Sequence, residues 1–183
     1  MIGIGCDHSA YDLKQAVIAY LKEQGLEYKD YGCMDKNSCD YPIYGRAVAE
    51  AVADGTCDKG IVICTTGIGI SITANRIPGI RCALCSDTVS AQLTRLHNDA
   101  NMLALGAKII GENLAIAIVD TFLHTEFSGE ERHQRRINLI DKVEFEKYAP
   151  STGDSQMQEI YDETVSMMNS LEASFKSNRN SEV

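Results

Sequence analysis

Apolar and polar positions alternate along the chain in two rhythms. Short runs of β-branched and aliphatic residues, Met1 to Gly5, Leu26 to Tyr31, Gly60 to Ile63, Ile80 to Cys85 and Met102 to Leu105, read as buried strands. Between them, apolar residues recur at helical spacing. Leu13, Ala16, Val17, Tyr20 and Leu21 predict a first helix closed by Gly25, and Ala47, Val48, Ala51 and Val52 a second, opened by Tyr41-Pro42 and ended by Gly55. A third starts near Gly69 and stops at Pro78-Gly79. Asp87 or Thr88 caps a fourth that runs to about Leu96. Gly111 to His124 is a fifth, with Leu114, Ile118, Val119 and Phe122 toward the core, and Glu130 to Tyr148 a sixth.

Strands alternating with helices at this spacing predict a three-layer α/β/α sandwich around a five-stranded parallel, Rossmann-like sheet with right-handed crossovers. Ligands bind such sheets beyond the carboxyl ends of the strands, where the winding reverses. Asp7-His8 and Cys64 stand at two of those ends, and they face each other if the first and third strands are neighbours.

The 183 residues suit one α/β domain with a tail. No apolar run reaches the roughly 20 residues of a membrane span, and the start lacks the basic and apolar regions of a signal peptide, so a cytoplasmic protein without a membrane partner is expected. The formal charge of −9 argues against nucleic acid as a partner. Seven cysteines without an export signal point to reduced thiols. Cys82 and Cys85 have the spacing of a metal pair, but on a strand they face opposite sides. No metal site is expected.

Candidate chemistry gathers at Lys59 to Asn75, K-G-I-V-I-C-T-T-G-I-G-I-S-I-T-A-N. A thiol at the end of a buried strand meets a glycine turn, and a helix opening there directs unpaired amides back toward it, a cradle for an anion. An ordinary buried strand cysteine before a tight turn has the same pattern. Asp7-His8 suits proton transfer or sugar and phosphate binding, or equally a helix cap beside an exposed histidine. His97 suits catalysis or the capping of a helix C-terminus, and Asn98 and Asn101 suit turns. Arg132 and Arg136, one helical turn apart, share a sector with Leu139, Ile140 and Val143; arginines in an apolar stripe call for an anion such as phosphate.

Together these residues resemble the ribose-5-phosphate isomerase B family, which also contains galactose-6-phosphate and allose-6-phosphate isomerases. The resemblance rests on G-C-D-H-S-A-Y-D-L-K at the start, D-Y-P at 40 to 42, I-C-T-T-G-I-G-I-S-I-T-A-N at 63 to 75, R-L-H-N-D-A-N-M-L-A-L-G at 95 to 106 and R-H-Q-R-R-I at 132 to 137. It implies an isomerase domain over residues 1–149, followed by an extension over 150–183. Met157, Ile160, Tyr161, Met168 and Leu171 mark one apolar helical face of that extension, and a polar, disordered end starts near Ser174.

The resemblance also implies roles. Cys64 is the base that moves a proton between C1 and C2 of an open-chain sugar phosphate, and Thr66 with the backbone of Gly67, Ile68, Gly69, Ile70 and Ser71 is the anion hole. His97 opens the furanose ring with Asp7 assisting. His8, Arg132 and Arg136 hold the phosphate, and Tyr41 and Asn98 contact the substrate. The reaction implied is ribose 5-phosphate to ribulose 5-phosphate, without cofactor, in a homodimer or dimer of dimers. His97 and Asn98 are then expected to serve the neighbouring subunit's site. An isomerase of a six-carbon aldose 6-phosphate and a non-catalytic sugar-phosphate sensor are the alternatives. Thr65, where the family commonly has glycine, Lys108, where arginine is common, and Ser9-Ala10-Tyr11 depart from the family pattern and bear on substrate choice.

Overall fold

In the computed structural model, which describes residues 1–148, the expected sheet forms from β1 (Ile2–Cys6), β2 (Tyr28–Asp30), β3 (Lys59–Cys64), β4 (Cys82–Leu84) and β5 (Met102–Gly106). All neighbours are parallel, in the order β2-β1-β3-β5-β4. The helices are α1 (Tyr11–Glu23), α2 (Tyr41–Ala53), α3 (Ile68–Ala74), α4 (Thr88–Asn98), α5 (Glu112–His124) and α6 (Glu131–Tyr148). Residues 1–138 form one compact unit, and the chain from Leu139 belongs to a second. The expectations for the extension over 150–183 lie outside the described residues.

The period of two along the strands divides the core into two halves. Ile4, Cys6, Ile61, Ile63, Leu103 and Leu105 pack with Val17, Leu21, Ile118 and Phe122 of α1 and α5, while Val62, Cys64, Met102 and Ala104 pack with Val48, Val52, Ile70 and Ala74 of α2 and α3. These are the two faces of the sandwich. Cys85 belongs to the first cluster and Cys82 packs against the second, so the two thiols do lie on opposite faces. No helix among the described residues is long and apolar enough to cross a membrane.

From β1 the chain crosses to β2 on one side and then to β3 on the other, so the winding reverses between β1 and β3. Cys6 is level with Ile63, and Cys64 with Gly106. The ends of β1 and β3 thus open onto one crevice. A buried ion pair steadies its flank. The ammonium of Lys14, 0% exposed, donates to both carboxylate oxygens of Asp30 at 2.8 and 2.7 Å and to the Cys33 carbonyl at 2.7 Å, tying α1 to β2 and to the loop after it.

Several boundaries differ from the sequence expectation. The helix α3 ends at Ala74 rather than Pro78, because the Asn75 side chain turns to pair with both the N–H and the C=O of Cys82 at 2.8 and 2.9 Å. Those bonds also fix the start of β4, which is shorter than the apolar run 80–85 suggests. The helix α4 extends to Asn98, closed by Asp99 in the left-handed region at φ 44°, which puts His97 inside its last turn.

Candidate active site

The crevice is built from three turns that share hydrogen bonds. At the end of β1, Asp7 donates its N–H to the Ile63 carbonyl at 3.1 Å. Its Oδ1 accepts the amides of Ser9 and Ala10 at 3.0 and 3.1 Å and the Ser9 hydroxyl at 2.6 Å, so Asp7 caps the short 3₁₀ turn His8–Ala10. Across the crevice, Ser9 Oγ lies 2.6 Å from Thr65 Oγ1. His8 accepts the Cys39 amide on Nδ1 at 3.2 Å. An amide only donates, so that ring nitrogen carries no proton and Nε2 holds it.

Cys64 closes β3 and is 4% exposed. Its sulfur accepts the Gly67 N–H at 3.1 Å, a bond that depends on Gly67 standing in the left-handed region at φ 77°. A Cβ there would also lie 2.4 Å from Leu84 Cδ1 and 2.8 Å from the Leu105 carbonyl carbon. The Thr66 hydroxyl accepts the Ile68 amide at 3.3 Å, and Ser71 lends its N–H to the Gly67 carbonyl at 3.1 Å. Neither Gly69 nor Ile70 gives its amide to an acceptor outside α3 among the described residues, as expected in a first helical turn. The Tyr41 ring lies against Gly69, its hydroxyl 2.6 Å from where a Cβ would stand. From β5, Ala107 and Lys108 donate their amides to the carbonyls of Cys64 and Thr65 at 2.9 and 3.0 Å.

Asp7, His8, Tyr41, Cys64, Thr66 and residues 67–71 are thus gathered at the carboxyl ends of the strands. The remaining predicted residues are not. His97 and Asn98 end α4, just before β5 begins at Met102, level with Gly60 rather than Cys64. The four-residue rise from that level to Cys64 is roughly 13 Å. There the His97 ring meets His133 edge-on, with centroids 4.3 Å apart, and His133 Nδ1 lies 3.2 Å from both the Leu96 carbonyl and the Ser128 hydroxyl. Arg132 and Arg136 flank His133 on α6, and both are exposed.

The apolar stripe expected around those arginines is corrected. The core-facing side of α6 carries His133 and Ile137, about 100° round the helix, while Leu139, Ile140 and Val143 are exposed. Arg132 pairs with Glu130 at 2.7 Å, so its guanidinium is solvated and ion-paired instead of trapped against apolar neighbours. Sequence reasoning missed His133, and it read Ser9 only as a possible cap and a departure from the family pattern. His133 precedes Ile137 by one helical turn, a spacing that could have found it.

Comparison with known proteins follows the same residues. Residues 2–140 match the Ribose/Galactose Isomerase family. The chain belongs to that family. Within it, the chain is 48% identical over 143 residues to ribose-5-phosphate isomerase B of Escherichia coli, covering 78% of this chain and 95% of that protein. It is 40% identical over 143 residues to the galactose-6-phosphate isomerase subunit LacB of Clostridium acetobutylicum, covering 78% and 83%. Among solved structures, ribose-5-phosphate isomerase B of Clostridium thermocellum superposes with a TM-score of 0.78 at 52% identity, over 80% of this chain and 98% of that one. The type B ribose 5-phosphate isomerase of Trypanosoma brucei gives 0.76 at 41%, over 78% and 97%. The family assignment agrees with the resemblance read from the motifs, and it covers both sets of residues described above.

Proposed function

We propose that the chain is an aldose-ketose isomerase that interconverts ribose 5-phosphate and ribulose 5-phosphate through an enediolate, with Cys64 as the base. The observation that carries this reading is the Cys64 sulfur at the mouth of the β1/β3 crevice, accepting the Gly67 amide at 3.1 Å while Asp7 and Thr66 stand on neighbouring turns. Removing a proton α to a carbonyl requires a placed base and donors at the developing oxyanion. Cys64 takes the C2 proton of the open-chain aldose, the hydroxyl of Thr66 and the amides of Gly69 and Ile70 stabilise the enediolate, a hydroxyl proton passes from O2 to O1, and the carbon-bound proton returns at C1.

The phosphate, bound by His8, Arg132 and Arg136, holds the sugar in place. Tyr41 and Asn98 contact the sugar, and His97 opens its ring with Asp7 assisting. Because His97, Asn98, Arg132 and Arg136 stand away from Cys64, we assign them to the crevice of a second copy, so that a homodimer holds two composite sites. The exposed apolar side chains of Ile43, Ile68, Ile72 and Leu84 beside the crevice suit such a contact. Seven free cysteines suit a reducing, cytoplasmic setting.

Turnover on ribose 5-phosphate, allose 6-phosphate and galactose 6-phosphate tests the substrate. The pentose is expected to be favoured; preference for a hexose phosphate transfers the reading to the six-carbon alternative, which the 40% identity to a galactose-6-phosphate isomerase subunit keeps in play. Failure to turn over any of the three, with no deuterium exchange from solvent into the sugar, removes the isomerase. Mixing Cys64→Ala and His97→Asn subunits tests the composite site. Activity that neither variant has alone is the expected result.

A further inference from the structure

Two hydroxyls with no part in the reaction as proposed join the ends of β1 and β3. Ser9 Oγ lies 2.6 Å from Asp7 Oδ1 and 2.6 Å from Thr65 Oγ1. A carboxylate only accepts, and a serine hydroxyl has one proton to give. Ser9 therefore donates to Asp7, and Thr65 is the donor to Ser9. The relay has one direction, Thr65 to Ser9 to Asp7, and its length is that of a charge-assisted O–H···O⁻ bond.

With the amides of Ser9 and Ala10, three donors converge on Oδ1 of Asp7, and Oδ2 accepts none from the described residues. Rotating the carboxylate out of this plane would break all three. The relay thus fixes the orientation of the carboxylate, and with it where the second oxygen stands. Nothing in the turn itself demands it, because Ala107 and Lys108 already hold the backbone at Cys64 and Thr65 from β5.

We infer that Ser9 and Thr65 are positioning residues that hold Asp7 with Oδ2 toward the anomeric end of the furanose, so that they serve ring opening and not the proton transfer at Cys64. This rests on the isomerase reading above. In the step, the anomeric hydroxyl gives its proton to Oδ2, the bond from C1 to the ring oxygen breaks as C1 becomes a carbonyl, and the ring oxygen takes a proton from His97. Solvent then restores both groups. Ribulose 5-phosphate needs no such step. Its C5 oxygen carries the phosphate and its C4 oxygen would close a four-membered ring, so it is open in solution.

That asymmetry supplies the test. For Ser9→Ala, Thr65→Val and Thr65→Ser, net conversion of ribose 5-phosphate is measured beside the uptake of solvent deuterium at C1 of ribulose 5-phosphate, which needs Cys64 but no ring. Ser9→Ala is expected to slow net conversion by about tenfold, as for a lost hydrogen bond to a charged group, and Thr65→Val, which loses a bond to the neutral Ser9 hydroxyl, by about threefold. Deuterium uptake is expected to fall far less, and Thr65→Ser, which keeps the hydroxyl, to recover most of the loss. Equal falls in both rates, or no fall in either, overturn the positioning role. A wild-type protein without conversion or exchange overturns the isomerase reading instead, whatever the variants do.

Discussion

The imidazole of His133 stands edge-on to that of His97, with 4.3 Å between centroids and 76° between planes. His133 is 3% exposed, and its Nδ1 meets the Leu96 carbonyl in the last turn of α4. A carbonyl only accepts, so this contact is a hydrogen bond when Nδ1 carries the proton. His133→Ala is expected to remove the wall behind His97 and leave the Ser128 hydroxyl short of a partner. A stability loss of about 1–3 kcal/mol in urea unfolding, with slower turnover of ribose 5-phosphate, is the expected outcome.

Cys64→Ala should lower turnover by roughly 10²–10⁴-fold, the usual worth of a general base, while sugar-phosphate affinity measured by calorimetry changes little. The sulfur is nearly buried, and its removal leaves His8, Arg132 and Arg136, the residues proposed to hold the phosphate, untouched. A variant that kept most of its activity would remove Cys64 from the mechanism.

Lys14→Met breaks a buried pair from one side. The ammonium is fully enclosed, the Asp30 carboxylate 21% exposed, and the Cys33 carbonyl loses its donor as well. Denaturant unfolding should report a loss of about 3–5 kcal/mol. The loop after β2 also carries Cys39, whose amide bonds His8, so KM for the sugar phosphate should rise with the loss of stability.

Burial, with the Asp87 carboxylate adding to it, pushes the Cys85 thiol up to about 11 from an ordinary 9.0. The folded state therefore keeps its proton over a range in which the unfolded chain gives it up. The contribution is complete below pH 9.0 and declines as pH rises, until the folded thiol also ionises near 11. Unfolding under reducing conditions at pH 8 and pH 10 should show the decline, and Cys85→Ala should reduce it by that thiol's share, since burial also raises Cys6, Cys33 and Cys82.

How far the sequence carried these conclusions depends on the range of each interaction. Strands such as Gly60 to Ile63 and helices such as α1 declare themselves through local periodicity, and the motif around Cys64 contains its own glycine turn. Helix ends set by distant partners do not. Asn75 stops α3 by pairing with Cys82, and only the fold brings those residues together. The Ser9 to Thr65 contact spans 56 residues and has no periodic signature. On α6 the wheel grouped Arg132 and Arg136 with Leu139, Ile140 and Val143 correctly, but it cannot say which sector meets the core. His133 and Ile137 took that place.

The strand order has a consequence for synthesis. Inside the sheet, β5 is the piece that joins β3 to β4, yet among the described strands it is the last to be translated. Until the ribosome releases residue 106, β4 has no neighbour and β3 shows a bare edge of aliphatic side chains and unpaired amides. A nascent chain in that condition is a template for pairing with another of its kind. Between residues 64 and 106 the growing chain therefore carries its most exposed strand edge.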